Sequence, residues 1–352
     1  MNPFIGLVFR LIPLAMGWIC LAYGLDVRAG GNDPSHIIPG NVLLALSAIC
    51  WALFTTAATI ISQLLDRYGA VKRWALPISG YAVSALTMIY GASLILEHPQ
   101  NDWWVAGHIV VGIGLIAACV STVATASTRF VLIPANSHGP QNVVPAQAHT
   151  RRAALAMIAV PIAAGLVAYA WAAMLLIGAA RGTGPAFVAG HVLAGVAAVC
   201  LCLVSLVASV VRQIRNQFSE AERYFWSWLV IALGALNILW GLGVLVGGSH
   251  SDRLAPGWVL IGLGLVCFSI LSKVALLALV WRRDFPLAGR VPLIPVTTAL
   301  TCLFIAAFLF EAAASEPALW VPARVLVGLG AVCFTLFSIV SILEAGTSGK
   351  AS

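Results

Sequence analysis

The sequence predicts an all-α polytopic membrane protein of ten transmembrane helices, and three observations carry that expectation. Of 352 residues, 61% are hydrophobic and 9% charged, where a soluble domain is near half apolar and a quarter charged. Apolar runs about 20 residues long, enough to cross roughly 30 Å of hydrocarbon, recur along the chain. Five of these runs are versions of one segment: WVPARVLVGLGAVCFTLFSIVSILEAG at 320–346 is preceded by relatives starting at Ile38, Val105, Val188 and Ala255.

In chain order, the run at 4–24 lacks a basic leader and a small-x-small cleavage site, so it reads as a retained helix rather than a signal peptide. It pairs with 39–62, and 75–96 pairs with 105–127. The segment VLIPANSHGPQNVVPAQAHT at 131–150, rich in Pro, Asn, Gln and Ala, reads as a cytoplasmic loop. Three more pairs follow: 153–178 with 188–211, 226–247 with 256–281, and 292–314 with 321–344. Pro13, Pro77, Pro161 and Pro295 recur near the start of four first helices, a kink that neighbouring helices make tolerable.

Five repeats are expected, at about 1–68, 69–130, 151–218, 219–285 and 286–346, forming one transmembrane domain. Asn41, His108, His191, Trp258 and Arg324 mark the zero of each second helix, 67, 83, 67 and 66 positions apart, so only the 131–150 loop disturbs the period. Same-sense hairpins are parallel repeats related by rotation about the membrane normal. A small residue 17 positions before the zero supports this, as in Tyr23-Gly24, Tyr90-Gly91 and Trp240-Gly241.

The net charge of +7 sorts by loop: twelve basic residues follow spans 2, 4, 6 and 8, and four lie opposite. That bias puts both termini in the cytoplasm. It forms no basic soluble face, so the expected partner is the lipid bilayer and not nucleic acid. All eight cysteines fall inside the runs, where they read as small packing residues rather than metal ligands. No cofactor is expected. The pair Gly112 and Gly114 follows no strand, so it reads as packing rather than a nucleotide loop. No Ser/His/Asp set, paired carboxylates or HExxH appears, and an enzyme is not expected.

Aligned on the zero, large aliphatics occupy plus 5 (Leu46, Ile113, Val196, Leu263, Leu329), plus 8 and plus 12, one face at about 100° per residue. Two other faces are small: plus 4 and 11, with hydroxyls at plus 14 (Thr55, Thr122, Ser205, Ser272, Ser338), and plus 6, 9 and 17. Small residues mark close helix contact in membranes. The expected object is a pseudo-fivefold ring with second helices inside, small faces touching and aliphatic faces turned to the outer first helices; an open or irregular bundle is the alternative. The bulky plus 10 residues Trp51, Leu201, Phe268 and Phe334, with Ala118, would then meet on the axis as a constriction, with the hydroxyl ring beside it. That constriction reads either as a dewetted gate or as ordinary core packing.

The zero residues would form an outer mouth, where His108 and His191 are either acid sensors or polar anchors at helix starts. Lys273 is a charge well inside a span, a functional candidate because burying it costs several kcal/mol unless paired. It is expected to snorkel or to meet Glu344.

The stretches VAGHV at 188–192, LALVWRR at 277–283 and RVLVGLGAVCFTLFSIVSILEAG at 324–346 resemble the YhiM-like family of enterobacterial inner-membrane proteins. The resemblance implies a bacterial inner-membrane protein associated with survival at low pH, and it carries no catalytic or binding residues. The expected function is therefore acid tolerance, through a gated pathway for a small ion or solute. The alternative is a non-conducting structural or signalling protein with a dry apolar core.

Overall fold

The computed structural model describes residues 3–64, 69–129, 149–179, 183–247, 251–282 and 290–347. The expected loop thus lies outside the described residues except for His149 and Thr150. Among the described residues there are ten long helices and no strand: α1 (Pro3–Ala29), α2 (Pro34–Leu64), α3 (Ala70–Glu97), α4 (Asp102–Ser127), α5 (Arg151–Gly178), α6 (Pro185–Ile214), α7 (Glu220–Val246), α8 (Leu254–Arg282), α9 (Arg290–Ala312) and α10 (Trp320–Thr347). The shortest has 23 residues and the longest 31, about 35 to 46 Å at 1.5 Å per residue, so each is long and apolar enough to cross a membrane.

The helix starts are written locally. Asn101 accepts from the Trp104 amide, Thr150 from the Ala153 amide, and Ser219 with Glu222 forms a reciprocal capping box. Before α6 the chain turns at Gly184 with φ of 91°, and Pro185 starts the helix.

Odd and even helices differ in exposure. Odd helices present large apolar side chains outward, among them Trp18, Leu86, Leu166, Leu239 and Phe304, a surface suited to lipid. Even helices are mostly buried. Each odd helix packs along the even helix that follows it, and each even helix packs on two other even helices: α2 on α4, α4 on α6, α6 on α8, α8 on α10, and α10 on α2.

Glycine decides how close these approaches are. A Cβ on Gly91 would lie 2.8 Å from the Gly107 carbonyl oxygen, one on Gly107 2.7 Å from that of Gly91, and one on Gly241 2.6 Å from that of Gly257. Backbone atoms cannot yield there, so these odd–even contacts require glycine. Between even helices the glycines receive leucines instead. Gly112 faces Leu193, Gly195 faces Leu260 and Leu263, Gly262 faces Leu326 and Leu329, and Gly328 faces Leu43 and Leu46.

The cysteines do more than fill space. All eight are free and buried, and most take a partner across a helix seam. Cys119 lies beside Cys200 between α4 and α6, Cys202 beside Cys267 between α6 and α8, and Cys333 beside Ser269 between α10 and α8. Cys50 lies 3.8 Å from the Thr335 hydroxyl between α2 and α10. Cys20 on α1 and Cys302 on α9 reach inward to Cys50 and Cys333. At the α2–α4 seam the aligned residues are Ala52 and Ala117.

The expected orientation of faces is corrected. Plus 4, 9 and 11 do meet neighbouring even helices, but plus 6, at Gly114 and Gly264, meets the odd helix of the same hairpin, as Gly107 at minus 1 does. The reason is that the outer helices need the same intimate packing as the inner ones, since lipid supplies no hydrophobic drive for either.

At the other end, His149 is tied in by two bonds: its Nε2 donates to the Ala126 carbonyl at 3.1 Å, and Arg215 donates to the His149 carbonyl at 2.7 Å. Burial pushes the imidazole below its ordinary pKa of 6.5, the Ala126 bond opposes that, and the charges of Arg129 and Arg215 add to it. A histidine with a lowered folded pKa contributes stability that is complete above about pH 6.5 and is lost as the pH falls below that.

Two outcomes are expected. Once the intrinsic pH dependence of exchange is divided out, hydrogen-exchange protection at the start of α5 should fall between pH 7 and pH 5, and His149→Gln should flatten that dependence; an unchanged protection profile in the variant would remove the histidine from the effect. For the α2–α10 contact, a variant keeping only Cys50 among the native thiols and carrying Thr335→Cys should cross-link on mild oxidation. After cleavage at a protease site placed within 131–148, its two halves would then run together without reductant. Separate halves, where Cys119 with Cys200 does link them, would contradict the contact.

Candidate functional site

The even helices enclose a tube lined by the large aliphatic face. At plus 1 stand Val42, Ile109, Val192, Val259 and Val325, at plus 5 Leu46, Ile113, Val196, Leu263 and Leu329, and the plus 8 and plus 12 residues complete the next two layers. Lining residues run from Ile38 at minus 3 to Ile60 and Leu277 at plus 19, about 33 Å along the helices and so the full thickness of a hydrocarbon core. About 50 Å³ of the main cavity is wide enough for the centre of a water molecule. A single water needs roughly 10–15 Å³ by that measure and two to four polar partners. Room is present, but apart from Lys273 the lining offers no polar side chain.

Lys273 is the exception. It stands at plus 15, where the aligned positions hold Thr56, Val123, Leu206 and Ile339. It lines both the main cavity and a smaller one of about 20 Å³ beyond it, shared with Thr56 and Ser127. At 3% exposure it does not snorkel. No hydrogen bond or ion pair from the described residues reaches it, Glu344 included. The cause is angular: plus 15 continues the face of plus 8 and plus 12, so the residue faces the two cavities.

At the starts of the even helices the tube opens into a vestibule of about 510 Å³, with Ile38, Val188, Ala255 and Val321 common to both spaces. Asp33, Asp102 and Asp252 line it. The Asp33 carboxylate accepts from Ser35 at 2.6 Å and from His36 at 2.9 Å, which hold its pKa below the usual range. Asp252 accepts from the Gly184 amide at 2.8 Å. The three carboxylates sit in or beside turns, six to eight positions before the zeros, where the aliphatic periodicity that marks the helices gives no signal.

The expected constriction is not on the axis. Trp51 is 36% exposed and lies against Phe54, Phe334 stacks on Phe337, Leu201 covers Gly165 of α5, and Phe268 reaches Gly234 of α7. Ala118 shares that outward face and does not line the tube. Plus 10 is about 180° from the mean of the aliphatic face, so placing aliphatics inward sends the bulky residues out.

The hydroxyls are not beside the lumen either. Thr55 donates to the Ala52 carbonyl, Thr122 to Ala118, Ser272 to Ser269 and Ser338 to Thr335, each bonding its own helix, while Ser205 is buried in α6; none lines the tube. Such back-bonding satisfies a small polar residue in a tight seam.

Nor do the zero residues form a mouth. Four of them lie between their own even helix and a helix of the next hairpin. Asn41 bonds the Ile37 carbonyl and accepts from Tyr90 of α3. His108 bonds the Trp104 carbonyl and packs on Trp171 of α5, and His191 bonds the Phe187 carbonyl and packs on Trp240 of α7. Arg324 donates to the Ser35 carbonyl at the start of α2 and lies over Trp320. Trp258 is half-buried against the core. Asn41, His108, His191 and Arg324 thus each touch a helix of another hairpin.

The comparisons with known proteins agree with a membrane reading. Residues 1–348 match a family model described as "Protein of unknown function (DUF2776)". The chain is 51% identical over 352 residues to the inner membrane protein YhiM of Escherichia coli (strain K12), covering 99% of this chain and 100% of that protein. No solved structure matches it. With ten apolar helices and these relations along almost its whole length, the chain is a multi-pass inner-membrane protein and belongs to the DUF2776 family.

Proposed function

We propose that the five hairpins are repeats arranged as a closed pseudo-fivefold ring, even helices inside and odd helices outside, and that its axis is a gated pathway, shut in the conformation described. One observation carries the reading. An inert core would place an aliphatic at plus 15, as Val123, Leu206 and Ile339 do, yet this axis holds Lys273. A charge kept there without a partner among the described residues costs several kcal/mol, a cost retained at functional positions in membranes. The seams support the ring, since the contacts of plus 4 glycines with leucines and of plus 11 with plus 9 recur from hairpin to hairpin and return from α10 to α2.

With the basic loops inside, both termini are cytoplasmic and the acidic vestibule opens to the periplasm. The role in acid tolerance rests on the family resemblance, and the two crevice histidines do not contribute to it. The protein acts without catalysis in this reading. The rival, a non-conducting protein with a dry core, draws on the layers between vestibule and lysine, which contain no polar side chain.

Wetting the axis discriminates the two. Leu263→Ser with Leu329→Ser, neighbours in the plus 5 layer, should give purified protein that leaks small ions in liposomes. Phe268→Ala with Phe334→Ala should not, because those rings face outward. A folded serine variant that stays tight at pH 5 and pH 7 would favour the dry core. In cells, Lys273→Met should lower survival of an acid challenge several-fold at unchanged membrane abundance; equal survival would remove the lysine from that role.

A further inference from the structure

The lysine sets which species the pathway passes, and this inference rests on the reading of the axis as a pathway. We infer that Lys273 makes the open axis a binding and selectivity site for a small, weakly hydrated monovalent anion. The argument begins with what surrounds the ammonium. Across the lumen stand Thr56, Val123 and Leu206, and beyond it Ile60, Ser127, Val210, Leu277 and Leu343. None carries a negative charge. Thr56 and Ser127 already donate to the Ala52 and Val123 carbonyls, at 3.2 and 2.8 Å, so they offer the lumen lone pairs rather than protons.

A protonated lysine lining a pore repels cations and attracts anions. One lysine balances one charge, which selects monovalent species over sulfate or phosphate. The cavities bounding the lysine, about 50 and 20 Å³, admit an ion of halide size with at most a few waters.

The lining then ranks the anions. A site built from several hydrogen-bond donors replaces the hydration shell and favours compact ions. Here the layers between vestibule and lysine give no donor, so an entering anion loses water and gains only the ammonium. Ions that dehydrate easily pass best, in the order thiocyanate, iodide, bromide, chloride. The vestibule carboxylates do not reverse this. Asp252 and Asp102 lie six positions before their zeros and Lys273 fifteen after, roughly 30 Å apart along the helices. They modulate arrival at the mouth while the lysine decides passage.

The test uses the full-length protein, intact and as the serine-opened variant, in planar bilayers with potassium salts of these four anions. The opened protein is expected to favour anions over potassium by at least about tenfold, in that order. Lys273→Met should bring the ratio near one, Lys273→Glu should invert it, and Lys273→Arg should preserve it. Independently, sodium thiocyanate should raise the Tm of intact protein relative to the Lys273→Met variant at equal ionic strength. A pathway that conducts with the same ratio in all four proteins overturns the anion site and leaves the pathway standing. Absence of conduction in every variant, together with no anion-dependent Tm difference, overturns both.

Discussion

Close backbone approach at glycine is the constraint on which this structure depends. Lipid tails are as apolar as leucine, so two helices in a bilayer gain little from hiding apolar surface from each other. What holds them is dispersion, which a gap of even 0.5–1 Å cuts by a quarter to a half. At Gly91 with Gly107, and at Gly241 with Gly257, the backbones meet so closely that a methyl group has no place. Once an odd helix is seated there, the rotation of its even partner is set. The face at plus 4 and plus 11 then meets the next even helix, and the remaining inward face is the aliphatic one.

Much of this was legible in the sequence. The ten spans, their pairing and the faces of the even helices follow from apolar run length and a 100° step, and the helices lie where the runs are. The sense of the axis was not legible. Plus 10 and the mean of plus 1, 5, 8 and 12 lie on opposite sides of the helix, and small residues flank both. Periodicity therefore gives two solutions that differ by turning every even helix through half a turn. The signal that separates them is the glycine before the zero, at Gly40, Gly107 and Gly257, matched to Gly24, Gly91 and Gly241 in the odd helices. A pair of glycines on two consecutive helices marks which face turns outward.

The same geometry explains why polar residues at equivalent positions differ so much in consequence. Thr55 and Ser338 lie on a seam, and each closes its hydrogen bond within its own helix. His108 and His191 lie in crevices with aromatic rings and bond a carbonyl one turn back. Lys273 has neither option, because its side chain is directed away from its own backbone and into a lumen of methyl groups. Sequence alone could flag it as costly. Its position on the axis required knowing which face is inside.

The dry layers and the lysine also make sense of each other. A tube with a charge and a polar lining would hold a standing column of water and leak at rest. A wholly aliphatic tube would be closed but indifferent to whatever entered on opening. In the proposed pathway, aliphatic layers between vestibule and lysine would let the resting state do without a plug, since water finds room but no partners there. Small outward movements of the even helices would widen all layers together, because each is braced by its odd helix and linked to its neighbours by thiol and hydroxyl contacts that are individually weak in membranes, about 0.6 kcal/mol for a typical interhelical hydrogen bond. In the proposed pathway, selectivity would appear only when the path is open, at the position where charge replaces hydration.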